Sequence, residues 1–148
     1  MTLYEIINIL EKISLQHPYI RTSAEGSIYD FMNANPSIKY GVFFASQTTH
    51  RETDEMDYYG FNLFVVDRLN DTMESNRLQI QSASKVILSN IIHTICNNFD
   101  IDYESIRYTP FTQKFVDECA GMYATVVFEV PKNYVCPEVF GPKITPTN

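Results

Sequence analysis

Two long runs of alternating apolar residues flank a short acidic segment, and a chain built that way has little choice but to form a β-hairpin. In an extended chain successive side chains point to opposite sides. From Ile38 to about His50, Tyr40, Val42 and Phe44 therefore share one face, and Phe43 and Ala45 the other. From Tyr58 to about Leu69, Tyr59, Phe61, Leu63 and Val65 make a continuous apolar face. The second face of that run, Tyr58, Gly60, Asn62, Phe64 and Val66, is mixed. One face on a core and one turned to solvent or a partner suits the pattern. The residues between the runs, Arg51 to Asp57, are polar and acidic and read as the hairpin tip.

Helical periodicity brackets the hairpin. Near the N-terminus, Thr2 followed by Glu5 fits a capping box, in which side chains satisfy free N–H groups of the first turn. Leu3, Ile6, Ile7, Leu10 and Ile13 follow at helical spacing. A short strand is expected around Ser27 to Met32. Asn70 to Asn76 reads as a turn. The strongest helix is predicted from about Ser75 to Asn98. Its apolar stripe is Ile80, Ile87, Ile91 and Ile95, widened by Ala83, Leu88, Ile92 and Phe99. Ser82, Lys85, Ser89, His93 and Asn97 form the opposite face, as in an amphipathic helix laid on a sheet.

Two more strands follow. One runs from about Ser105 to Asp117, and Pro110 within it favours a sheet edge or a bulge. Cys119-Ala120-Gly121 is expected to turn the chain into a last strand, Met122 to Val130. Pro131, Pro137, Pro142 and Pro146 then mark an extended arm. The expected organisation is one α+β domain over 1–131 and a proline-rich C-terminal arm over 132–148. Its sheet is mainly antiparallel, with about four or five strands, and two helices pack on one face.

Charge and composition narrow the function classes. The 148-residue chain carries a formal net charge of −7, with eleven Lys and Arg against eighteen Asp and Glu. No basic run is present to neutralise phosphates, which argues against tight nucleic-acid binding and against adhesion to anionic membranes. No stretch approaches the length of a membrane span, and the N-terminus lacks the pattern of a secretory signal. Cys96, Cys119 and Cys136 are an odd number with no CxxC, so neither a disulfide framework nor a zinc site is expected. His17, His50 and His93 have no partner at metal-ligand spacing. No GxSxG elbow and no glycine cluster is present, and the acidic neighbours of Cys119 disfavour a reactive thiolate. The carboxylates at 52–57 lack the glycine of a calcium loop and read as a solvated tip. No cofactor is expected, and the sequence reads as a protein that binds other proteins rather than as an enzyme.

The candidate contact residues are polar groups at strand and helix ends: Arg51, Glu52, Asp54 and Glu55 at the tip, and Asp67 and Arg68 at the strand exit. Asp67 and Arg68 fit either an internal pair or a reach to a neighbouring subunit. Arg77, Gln79 and Gln81 open the long helix, as a solvated first turn or a contact between subunits. Pro137, Phe140 and Pro142 mark the arm.

Several segments resemble small neck and tail proteins of tailed bacteriophages, especially crAss-like phages. They are Gly60-Phe-Asn-Leu-Phe-Val-Val-Asp-Arg-Leu69, Asn76-Arg-Leu-Gln-Ile-Gln-Ser82, Phe111-Thr-Gln-Lys-Phe115, Cys119-Ala-Gly-Met-Tyr-Ala124 and Val127-Phe-Glu-Val-Pro131. The resemblance implies a tail-terminator-like virion protein. It implies a homo-oligomeric ring, sixfold or twelvefold, that joins head to tail around a channel. DNA would pass that channel without specific binding. A small α+β protein that regulates a host partner is the alternative, and an enzyme using His50 with nearby acids is a third class.

Overall fold

The computed structural model describes residues 1–34, 37–69, 76–115 and 117–132. Among them, helix α1 (Leu3–Gln16) leads into a short strand β1 (Thr22–Glu25), a short helix α2 (Ile28–Ala34), and the hairpin strands β2 (Val42–Glu52) and β3 (Met56–Arg68). Helix α3 (Arg77–Asn98) precedes the strands β4 (Asp102–Lys114) and β5 (Glu118–Pro131). The class is α+β. One mixed, mostly antiparallel sheet has the order β1-β2-β3-β5-β4, with β1 parallel to β2.

The Thr2 hydroxyl accepts the Glu5 N–H at 3.2 Å and caps α1, whose Ile6, Leu10 and Ser14 are buried. The hairpin forms where the alternation placed it. Phe44 pairs with Phe64 and Val42 with Val66, and the register shifts at a bulge between Gln47 and His50. Thr53 closes the tip, its N–H donating to the Met56 carbonyl at 2.9 Å.

Three expectations change. Ser27 to Met32 is not a strand. Gly26 turns the chain at φ 116°, a conformation that favours glycine, and the next turn is helical. Ile28 and Met32 are buried while Asp30 between them is exposed, whereas a strand would put all three on one face. Residues 119–121 do not turn either: β5 begins at Glu118 and pairs with β3 from Cys119 opposite Arg68 to Pro131 opposite Met56. The chain reverses earlier, where the Phe115 N–H reaches the Asp117 carbonyl at 2.9 Å. Finally, the helices do not all lie on one face. Helices α1 and α3 cover the face of Phe43, Phe61, Leu63, Val65, Val126 and Phe128. Helix α2 covers part of the other, where Ile28 and Met32 pack on Val42, Phe44, Phe64 and Val66. Those four are apolar on the second face too, and without α2 they would stand in water.

Smaller corrections concern α3. Phe99 sits past its end in extended backbone and is 37% exposed, while Gln81 and Ser84 are buried within the stripe. Strand β4, which carries Pro110, is an edge strand with a bulge between Tyr103 and Ile106. The 70–75 part of the expected turn before α3, and residues 133–148 of the expected arm, lie outside the described residues.

Candidate interaction surface

Because α2 is only seven residues long, it shields one end of the second sheet face. The other end is polar. Tyr58, Asn62, Thr125, Val127 and Glu129 are half-buried there, and Arg51, Glu104 and Arg107 are exposed. Arg51, Tyr58 and Glu129 are aligned across β2, β3 and β5. The Arg51 guanidinium lies 3.7 Å from the centre of the Tyr58 ring and donates to the Glu104 carboxylate of β4. Thr125 donates to Asn62 at 2.8 Å. This half-face is therefore held together laterally, and no other described helix or strand covers its outer side.

The tip sits at the edge of that face. Lys132 ties it to the end of β5: its ammonium pairs with Glu52 at 3.0 Å and its N–H donates to the Glu55 carbonyl at 2.9 Å. Asp54 is exposed in the turn. Asp67 and Arg68 lie at the far end of β3, about 40 Å away at the rise of a strand. There the Asp67 carboxylate accepts the Tyr19 hydroxyl and, at 2.8 Å, the Arg68 N–H. Burial first, then Asp67, pushes the Tyr19 phenol well above its ordinary range. Asp67 thus ties the strand exit to the α1–β1 loop, a partnership with a residue 48 positions away that no local motif announces.

At the start of α3, Arg77 donates to Gln81 at 3.2 Å, and buried Gln81 donates to the Phe111 carbonyl at 3.3 Å. Gln81 therefore fastens the helix to β4, while Gln79 is exposed. Pro137, Phe140 and Pro142 lie outside the described residues. The described candidates form no single site: the tip group borders the polar half-face, and Asp67 and Gln81 are bonded within the fold.

Each histidine ring hydrogen-bonds within the fold. The His50 ring accepts the Gly60 N–H on Nδ1 at 3.3 Å and donates from Nε2 to Gln47 at 3.0 Å. His93 donates from Nδ1 to the Ser89 carbonyl at 2.7 Å. Burial pushes the thiols of both Cys96 and Cys119 up to about 11. Thiols so placed stay protonated at neutral pH and are poor nucleophiles. Unfolding lowers their pKa back to about 9.0, so the unfolded chain releases these protons first. Their contribution to stability is full below pH 9 and falls as the pH rises from 9 to 11. Urea melts at pH 8 and pH 10 should show the lower midpoint at pH 10, and native Cys119 should resist iodoacetamide at pH 8 until urea is added.

Among the described residues, no three His, Cys, Asp or Glu side chains come together in a metal-sized group, and no helix is long and apolar enough to cross a membrane. Neither a protein-family model nor a curated protein matches the chain.

Proposed function

We propose that this chain is a structural protein of a tailed-phage virion, a tail-terminator-like subunit of a homo-oligomeric ring in the neck or tail. The observation that carries the reading is the ordered series of segments similar to such proteins. They fall on β3, the start of α3, β4 and β5, which include three adjoining strands of the sheet. Two further features support it. Among the described residues, a polar half-face of the sheet is left uncovered and is available for a subunit contact. The net charge of −7 suits a channel that DNA traverses without sticking. The test is direct: purified protein, alone and added to phage heads with their portal, is weighed by mass spectrometry and imaged. Closed rings, or density in particles, are expected. A strict monomer absent from particles would overturn the reading.

The open half-face also suits the alternative, a small protein that grips one host partner. A pull-down from infected cells that recovers one host protein and no virion protein would favour it. The arm offers a second check on the ring reading. Because Lys132 already closes the sheet onto the tip, removing residues 133–148 should leave the melting temperature within about 2 °C, as expected for a loss below 1 kcal/mol. Association should weaken, as seen in the mass distribution of the truncated chain.

A further inference from the structure

Charge is distributed unevenly over this molecule. Helix α3, the longest element, holds none of the eighteen acidic residues of the chain, but it carries Arg77 and Lys85. Its outer side also carries apolar groups that a solvated helix would not need: Leu78 is 71% exposed and Val86 54%. These two lie two turns apart with Ser82 between them, on one side of the helix. Exposed Phe99 and Tyr103 add apolar surface at the C-terminal end, where Tyr103 meets the His93 ring edge-on. The opposite kind of surface is the hairpin tip. Residues 47–55 are all exposed, and Glu52, Asp54, Glu55 and Asp57 crowd its end.

Resting on the ring reading, we propose that the outer face of α3, centred on Leu78, Lys85 and Val86, receives the acidic β2–β3 tip of a second copy of this chain. Charge complementarity selects the occupant, with Lys85 set against the carboxylate of Glu55 and sharing that of Glu52, 69% exposed, with Lys132 of the same tip. Leu78 and Val86 supply the apolar area that a charge pair alone would lack. The contact cannot form within one copy. Lys85 lies over the Tyr108 ring, and Tyr108 is level with Ala124 and Leu63 in the sheet. Leu63 stands eight residues from Glu55 and six from Asp57, the residue opposite Glu52, about 26 Å and about 20 Å at the rise of a strand. The two surfaces differ, so the contact is head-to-tail, the type that closes into a ring when its rotation allows.

The experiment uses the full chain, as a mixture of light and isotope-labelled copies treated with a carbodiimide that joins lysines to carboxylates without a spacer. Cross-links from Lys85 to Glu52 or Glu55 are expected, with one peptide from each isotopic form. Lys85→Glu should weaken association about tenfold, and adding Glu55→Lys to it should restore part of that loss. Leu78→Ser with Val86→Ser, both at exposed positions, should weaken it independently of salt. Oligomers that form without these cross-links, and that are indifferent to Lys85→Glu, would overturn this contact and leave the ring reading standing. A chain that associates neither alone nor in particles would overturn both.

Discussion

Gly121→Ala should abolish folding or destabilise the chain by about 3 kcal/mol or more, toward and past the upper end of what overpacking costs. Gly121 lies in β5, opposite Val66 of β3 and Phe111 of β4. A methyl group built there would stand 1.9 Å from the Val65 carbonyl oxygen and 3.0 Å from the Val66 Cα. Those are backbone atoms of the strand next door, so no side-chain rotation relieves the clash. The central pair β3–β5 would have to separate, and with it the lateral hydrogen bonds that both faces depend on. Soluble yield and a thermal melt check this, with Gly26→Ala as the comparison. At Gly26 the same methyl meets nothing within 4 Å, and only the positive φ opposes it. A smaller loss, about 1–2 kcal/mol, is expected there. A Gly121→Ala protein that melts like the parent would mean that β5 does not run against β3 in this register.

Glycine 121 also shows why part of the fold was hidden in the sequence. Glycine most often punctuates a chain, and after Cys119-Ala120 it reads as a turn. Its actual role, permitting close approach of two backbones, depends on a strand more than fifty residues earlier. Strand β1 was hidden for the same reason: Thr22-Ser23-Ala24-Glu25 has no apolar alternation, and its place comes from parallel pairing with β2. Helix α2 is too short for periodicity to separate helix from strand. By contrast, the β2–β3 pairing and the stripe of α3 repeat over many residues, and both are where the pattern placed them, give or take a few positions. The candidate contact residues divide along that line. Arg51, Glu52 and Glu55 belong to a local hairpin that sequence can see. Asp67 and Gln81 are turned inward by Tyr19 and Phe111, partners that only the folded chain brings near.

Phe61→Ala and Tyr58→Ala, three positions apart on β3, should differ several-fold in cost because they lie on opposite faces. Phe61 is fully buried, 5.9 Å from the Phe128 ring in the cluster under α1 and α3. Truncating it removes that packing and leaves a cavity, for a loss of about 3–5 kcal/mol. At about 2–4 °C per kcal/mol for a chain of this size, the melting temperature should fall by roughly 6–20 °C. Tyr58 is half-buried on the open half-face, where its main partner is the Arg51 guanidinium. Its loss should cost about 1 kcal/mol, the scale of an exposed cation–π contact plus partial burial. Strand geometry makes this comparison strict, since a slip of one residue would exchange the two faces and reverse the order. The pair also separates stability from assembly. On the ring reading, Tyr58→Ala should impair association more than melting, because the open half-face is a contact surface. Phe61→Ala should impair association only as far as it unfolds the subunit, and cooling or a stabilising osmolyte should recover it. Equal association deficits at a temperature where both variants are fully folded would remove the open half-face from the contact.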